Sequence, residues 1–283
     1  MNVIHEKISG ELTDRDHKRV AAFVEDVAGI QLPGYKRQLV ETRLRKRMRV
    51  VGLEKISNYV DYVFSEHGEQ ERSALIDVIT TNKTDFFREP AHFDFLISHL
   101  ERQLRLGAHQ NYAVKIWSAA CSSGEEPYTI AMLLAELQLG WPEFRFRITA
   151  TDICSTVLNQ AKNAVYRQDR IGPISERLRK KYLLRSKDEL KKLFRVDNSI
   201  RSNIDFGLFN LISGEYAEQK KYDAIFCRNV MIYFNDQDRA KVIRNLVSCL
   251  VPGGLLFLGH SETIGNQREG LRAVSPTVYK RVD

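Results

Sequence analysis

Val114-Lys115-Ile116-Trp117-Ser118-Ala119-Ala120-Cys121-Ser122-Ser123-Gly124-Glu125-Glu126-Pro127 is the stretch that decides the fold class. A short apolar run passes into a loop of small residues. Pro127 then suits the first turn of a helix over Tyr128–Leu139, where a missing N–H costs nothing. The same grammar repeats downstream. Phe144–Thr151 places Phe146, Ile148 and Ala150 in alternation and closes on Thr151-Asp152 before another helix. Tyr222–Phe226 ends in Cys227-Arg228-Asn229, and a helix near Gln237–Leu250 leads through Pro252-Gly253-Gly254 to a strand over Leu255–Leu258. Strands alternating with helices, each strand ending in a polar or glycine loop, predict an α/β fold around a parallel sheet.

In such a sheet a ligand binds beyond the carboxyl ends of the strands, where the strand order reverses. Ser118–Gly124 is therefore the first candidate loop, because small residues let the backbone approach a ligand closely. It lacks the G-x-G-x-x-G pattern that cradles a pyrophosphate. Glu125 and Glu126 complement the dipole of the helix they open, but they repel phosphate and suit a sulfonium or ammonium. Asp152, closing the second strand, stands where these folds place an acid against ribose hydroxyls. Together these features point to an adenosyl ligand without phosphates, and S-adenosylmethionine fits.

Outward from this core, the first 80 residues read as helices only. Thr13 or Asp14 caps a helix with Val20, Phe23, Val24 and Val27 on one face, ending before Gly29. Further helices are expected over Tyr35–Val51, Ser57–Glu66 and Gln70–Thr80. The second is strongly basic: Val40, Leu44, Met48 and Val51 share its apolar face, while Lys36, Arg37, Arg43, Arg45, Lys46, Arg47 and Arg49 fan over the rest. Between Arg167 and Phe206 the α/β rhythm breaks into a helix and a small β excursion, with Leu193–Val196 and Ile204–Phe206 as short strands.

The composition is that of an ordinary folded chain, with 43% apolar and 28% charged residues, which excludes a disordered protein. A formal charge of +7 favours an acidic partner without naming one. The four cysteines are scattered without a C-x-x-C pair, so a zinc site is not expected and the thiols read as buried in a reducing compartment. The opening residues carry no apolar signal segment, and no apolar run approaches the roughly 18–20 residues that span a bilayer. A cytosolic protein is the expectation.

Three long segments resemble signatures of the chemotaxis-receptor methyltransferase (CheR) family: Thr80–Glu89 (TTNKTDFFRE), Trp117–Tyr128 (WSAACSSGEEPY) and Phe226–Phe234 (FCRNVMIYF). Gly259-His260-Ser261-Glu262 is similar to a fourth, and the resemblance runs in order from about residue 13 to the C-terminus. It implies a Rossmann-like class I methyltransferase sheet at 81–283, a helical receptor-recognition domain at 1–80 and a small antiparallel β subdomain inserted at about 187–206. It also implies that Asn82, Thr84, Arg88, Glu126, Asp152, Asn210, Leu211, Arg228 and Asn229 contact S-adenosylmethionine, that Arg88 and Tyr233 are the active-site pair, and that no metal takes part. The implied activity is protein-glutamate O-methylation, giving glutamyl methyl esters and S-adenosylhomocysteine for adaptation in chemotaxis. The implied partner is the cytoplasmic helical bundle of methyl-accepting chemoreceptors, met by a monomer recruited to membrane receptor arrays without inserting in the bilayer. The basic face of the second helix, with Lys36, Arg37, Arg43, Lys46 and Arg47, is the expected receptor contact. Some family members bind a receptor's C-terminal peptide on the β subdomain. Ser186–Lys192 lacks the glycines those members carry, so peptide tethering is not expected here.

The chemistry agrees with an acid acceptor. A glutamate with a pKa of about 4.3 is already a nucleophile at neutral pH, so no general base is needed. Two competing readings stand beside this one. A nucleic-acid methyltransferase would explain the charge, but Arg228-Asn229-Val230-Met231 stands where base-amino methyltransferases carry a proline-containing turn. A non-catalytic receptor adaptor would not need Arg88, Glu126, Asp152 and Tyr233 intact.

Overall fold

The computed structural model describes residues 10–108, 113–217, 219–264 and 270–282. The expectation about the first residues of the chain lies outside the described residues. The chain divides into two compact units: residues through Thr81 together with Tyr233–Asn235, and Asn82–Ile232 with Asp236 onward.

In the first unit Thr13 caps α1 (Asp14–Ala28) by accepting the Asp16 N–H, and Gly29, at φ 69°, ends it in the left-handed conformation that glycine adopts without strain. A short 3-10 turn at Gly34–Lys36 precedes α2 (Arg37–Val51), so this helix starts two residues later than its pattern suggests. Next come α3 (Ile56–Val63) and α4 (Glu69–Ile79). The unit is built on Val24, Val40, Leu44, Met48, Tyr59, Val60 and Leu75, each at most 1% exposed. Truncating one of these leucines to alanine costs about 2–5 kcal/mol.

The second unit opens with α5 (Ala91–Arg105), which buries Phe93, Leu96, Leu100 and Leu104 at helical spacing. Then follow β1 (Val114–Ser118), α6 (Glu125–Gly140), β2 (Phe146–Asp152) and α7 (Ser155–Asn163). Next are β3 (Val165–Arg167), α8 (Glu176–Tyr182), β4 (Leu183–Arg185), β5 (Leu193–Val196) and the one-turn α9 (Asn198–Arg201). The chain closes with β6 (Ile204–Leu208), β7 (Tyr222–Cys227), α10 (Asp236–Ser248), β8 (Leu250–Leu258), β9 (Leu271–Ser275) and β10 (Val278–Arg281).

Seven strands form one sheet in the order β6-β2-β1-β7-β8-β10-β9. The five strands from β6 to β8 are parallel, and β10 runs antiparallel between β8 and β9. The sheet is thus mixed, because the chain ends in a hairpin whose tight turn only antiparallel strands allow. From β1 the winding goes outward through β2 to β6, then returns to β7 on the other side of β1. The order therefore reverses between β1 and β7, and the mouth of the sheet lies beyond Ser118, Asp152, Cys227 and Leu258.

A second sheet of three strands, order β3-β5-β4, is antiparallel throughout. It begins earlier than the stretch 187–206 suggests. Ile204–Phe206 are not part of it: they pair with Ile148–Ala150 as the edge of the main sheet. Ile204 is buried and needs the sheet's covered interior, whereas the short Leu193–Val196 finds its two partners in β3 and β4. Pro252-Gly253-Gly254 does not interrupt a strand either. It is absorbed inside β8, where the register against β7 shifts.

Candidate functional site at the sheet switch point

The loop after β1 is shaped by Gly124 at φ 98°, where an added Cβ would lie 2.9 Å from the Ala161 Cβ and 3.0 Å from the Tyr166 hydroxyl. Asp152 fixes the loop from the next strand: one carboxylate oxygen accepts the Ser122 N–H at 2.8 Å and the other the Cys154 N–H at 3.0 Å. Asn82 joins the same place, its carbonyl accepting the Ser122 hydroxyl at 2.9 Å. The structure thus brings Asn82, Asp152 and the small-residue loop together.

Glu125 and Glu126, adjacent in sequence, have separate fates. Glu125, with 2% of its side chain exposed, is held by Arg170 at 2.7 Å and by the Ser123 hydroxyl. Glu126 keeps 12% exposure and accepts the Ser118 hydroxyl at 2.7 Å and Arg228 Nη1 at 3.0 Å. Burial pushes the Glu126 carboxyl above its ordinary range, with Arg228 and Ser118 opposing that rise.

Arg228 is the centre of the arrangement. Its side chain is 3% exposed, and it bridges Glu126 and Glu89, reaching Glu89 Oε2 at 2.9 Å. It also donates to the carbonyl of Arg88 and lies 5.4 Å from the centre of the Phe93 ring. Burial works to raise the Glu89 carboxyl too, but the Arg228 charge and the Asn229 amide override it and hold it below the usual range. Burial outweighs the donors at Glu126, where the neighbouring Glu89 charge adds to the rise, whereas Glu89 also gains the Asn229 amide, its Nδ2 at 3.2 Å.

The loop carrying Arg228 and Asn229 is anchored by a residue the sequence reading did not single out. Glu262 accepts three backbone N–H groups, from Gly259 at 2.6 Å, Met231 at 2.7 Å and Asn229 at 2.8 Å. Gly259 is required there, since a Cβ would meet Asn229 Nδ2 at 2.5 Å and Glu262 Oε2 at 2.8 Å. Glu89 and Glu262 both sit inside segments carrying the family resemblance, which was the available signal. Arg170 carried none. Among the described residues, four of the seven non-glycine residues with positive φ are Phe87, Glu89, Ser122 and Asn229. Such strained backbone gathers where surrounding contacts over-determine it, commonly at ligand sites.

The remaining predicted residues divide. Arg88 is half-buried and donates to the Lys83 carbonyl at 2.9 Å, and among the described residues it makes no ion pair. Thr84 is held through its carbonyl by Arg170. Asn210 accepts the Ile212 N–H at 2.9 Å, and Leu211 is buried beside it. Tyr233 groups with the helical unit, where its carbonyl accepts the Gln31 N–H at 3.0 Å and the Lys36 ammonium lies 5.9 Å from its ring.

Glu89, His92 and His260 bring one ligand atom each within 4.8 Å of one another, a donor set that transition metals favour. Glu89 Oε2, 3.5 Å from His92 and 3.9 Å from His260, already accepts Arg228 at 2.9 Å. A divalent ion there would sit against the buried Arg228 guanidinium, whose charge opposes its binding. Burial and the Arg228 charge hold the His92 imidazole down at about 4, neutral at physiological pH.

On α2 the open basic face expected from the helical spacing is narrower than it looks. Arg47 pairs with the buried Glu71 through two bonds of 2.7 Å, and Tyr59 donates to the same carboxylate at 2.8 Å. Arg43 is half-buried, donating to the Ile79 carbonyl and to Thr81 Oγ1. Arg37 pairs with Asp14 and Arg45 with Glu41. Lys46 and Arg49 are exposed, and beside them so are Tyr35, Leu39 and Val50. Arginines at buried acids act as staples here, which helical periodicity alone cannot reveal.

Comparison with known proteins agrees with this architecture. The model of the CheR methyltransferase SAM-binding domain matches residues 82–280, and that of the CheR methyltransferase all-alpha domain matches 15–80. A chemotaxis protein methyltransferase of Escherichia coli K12 is 37% identical over 95% of this chain and 91% of its own length. One from Borreliella burgdorferi is 37% identical over 95% of each chain. A chemotaxis protein methyltransferase 2 of Pseudomonas aeruginosa is 37% identical over 94% of this chain and 93% of its own.

Proposed function

Because the chain belongs to the CheR methyltransferase family, we propose that it transfers a methyl group from S-adenosylmethionine to glutamate side chains of bacterial chemoreceptors, giving glutamyl methyl esters and S-adenosylhomocysteine. The observation that carries this reading is the near full-length likeness to chemotaxis protein methyltransferases, across the helical unit as well as the sheet.

The residues at the switch point suit an adenosyl ligand with an amino-acid end. Such a zwitterion needs an acid and a base. Glu126 supplies a partly exposed carboxylate and Arg88 a guanidinium outside the ion pairs described. Asp152 supplies the acid for ribose hydroxyls, and Asn82, Thr84, Asn210, Leu211, Arg228 and Asn229 are the further cofactor contacts in this reading. The bound cofactor supplies a methyl group on a positively charged sulfur. The protein's own tasks are to align the acceptor oxygen within about 3–3.5 Å of that carbon and to exclude water from it.

No residue has to remove a proton, because a glutamate is ionised at neutral pH. Charge disappears as the carboxylate becomes an ester, so a strong fixed cation on the reacting oxygen would favour the reactants. Tyr233 suits the orienting role, since a phenol offers a neutral hydrogen bond. Arg88 clamps the carboxylate of the cofactor.

The helical unit meets the receptor bundle. Lys46 and Arg49, with Lys36 and Arg37, steer towards acidic helices, while Tyr35, Leu39 and Val50 give the same face apolar contact. The protein works at receptor arrays without inserting in the bilayer; among the described residues no helix is long and apolar enough to cross a membrane.

The test is incubation with methyl-labelled S-adenosylmethionine and receptor-bearing membranes, followed by mild base. Label released from a receptor band as volatile methanol is expected. Base-stable label, or label on added nucleic acid, would overturn the assignment.

A further inference from the structure

Arg170 belongs to neither the cofactor segment nor the loop after β1, yet one guanidinium holds both. Its Nη2 donates to the Thr84 carbonyl and, at 2.7 Å, to Glu125 Oε1, while Nη1 pairs with Asp85 Oδ1 at 3.1 Å. The two segments it joins are separated by about a seventh of the chain and have no strand pairing to fix them. Arg170 lies three residues beyond β3, and that strand's Tyr166 completes the frame. Tyr166 donates to the Ser123 carbonyl at 2.7 Å and packs edge-on against Phe86, with ring centres 4.9 Å apart. The stretch leaving the small sheet therefore braces the Asn82–Arg88 segment against the first turn of α6.

We infer that Arg170 is a positioning residue for the adenosylmethionine site, acting through the Thr84 peptide, and this rests on the reading that Asn82–Arg88 holds the cofactor. Fixing the Thr84 carbonyl sets the direction in which the Thr84 side chain points. It also sets the path of the chain on to Arg88, whose own carbonyl is fixed separately by Arg228. The planar fork is what allows one side chain to satisfy a carbonyl and two carboxylates together; an ammonium keeps the charge and loses that geometry. The segment's other bonds to this loop and helix, the Ser122 hydroxyl on the Asn82 carbonyl at 2.9 Å and the Phe87 N–H on the Thr129 hydroxyl at 3.2 Å, do not engage the Thr84 peptide.

A structural role and a positioning role differ in what rescues them. Arg170→Met leaves the buried Glu125 carboxylate without its cation, so a loss of affinity in that variant alone would be ambiguous. Adding Glu125→Gln removes the bare charge but does not restore the donor to Thr84. Titration calorimetry with S-adenosylhomocysteine is run on the unaltered protein, Arg170→Lys, Arg170→Met and Arg170→Met/Glu125→Gln, with thermal unfolding of each. The expected result is affinity reduced on the order of tenfold in Arg170→Met. The double variant should regain thermal stability but not affinity, and Arg170→Lys should fall between. At saturating cofactor, turnover should stay within about twofold of the unaltered protein, so that the effect appears in KM rather than kcat. Affinity recovering together with stability in the double variant, or unchanged affinity in Arg170→Met, would overturn the inference. If the unaltered protein binds no S-adenosylhomocysteine, the cofactor assignment itself fails, and this inference with it.

Discussion

Replacing Arg228 with methionine removes one cation from between two carboxylates. Glu89 and Glu126 each keep only 12% of their side-chain exposure, so neither can recover full hydration when the guanidinium is gone. Breaking a buried pair by deleting one partner costs about 3–5 kcal/mol, because a bare charge is left behind. Methionine roughly preserves the packing on Phe93, so the loss should come from charge. The pH dependence then has a definite sign. In the unaltered protein Glu89 is held below its ordinary range, so its stabilising contribution is present above the unfolded-state value and lost as pH falls through the folded one. Without Arg228, burial remains as the leading influence and both carboxyls rise. The variant's deficit should therefore be full near neutral pH and shrink as the pH falls towards the raised values, where protonation removes the bare charges. Urea unfolding can be followed by Trp117 and Trp141, the protein's two tryptophans, both of which lie in the sheet unit. A deficit below about 1 kcal/mol at neutral pH, or one that does not change between neutral and mildly acidic conditions, would show that Arg228 does not neutralise these two carboxylates.

Glu262→Ala removes the acceptor of three backbone N–H groups, two of them fully buried, and at about 1–3 kcal/mol for each buried donor left unsatisfied the unfolding free energy from urea titration should fall by at least about 2 kcal/mol. A smaller loss would mean that the loops hold their shape without it. Tyr233→Phe should lower kcat on the order of tenfold while calorimetric affinity for S-adenosylhomocysteine stays within about twofold; equal turnover would remove Tyr233 from the orienting role. Lys46→Glu with Arg49→Glu should weaken receptor methylation at low salt and leave cofactor affinity alone, the difference shrinking as salt rises. Arg47→Glu should instead destabilise the helical unit, because it sets a second acid against the buried Glu71.

The sheet could be read from the sequence because its strands end in chemically distinct loops: small residues after Trp117, an acid after Thr151, Arg228-Asn229 after Cys227. Phe93, Leu96, Leu100 and Leu104 of α5 follow helical spacing, but the helix lies between two motifs whose chemical signal is stronger. The final hairpin was not readable, as β9 and β10 are four or five residues long and their pairing is settled by the β8 edge they meet. The glycines of Pro252-Gly253-Gly254 look like a break, yet a β-bulge accommodates them. At the site, residue types were legible and partnerships were not. Arg228 meets Glu89 139 positions away and Glu126 102 away, and Arg47 meets Glu71 24 away. Local spacing carries no record of such pairs. It therefore showed Arg47 as an open cation and gave no sign of Arg170.

The proposed acceptor is a glutamate carboxylate. It is tested most directly by tandem mass spectrometry of chemoreceptor peptides after incubation with the protein and S-adenosylmethionine. A single added methyl group is expected on glutamate side chains of the receptor's cytoplasmic helices, absent when S-adenosylmethionine is omitted and removed by mild base. Methylation confined to lysine, arginine or glutamine, or an unmodified receptor alongside a methylated nucleic acid, would contradict it.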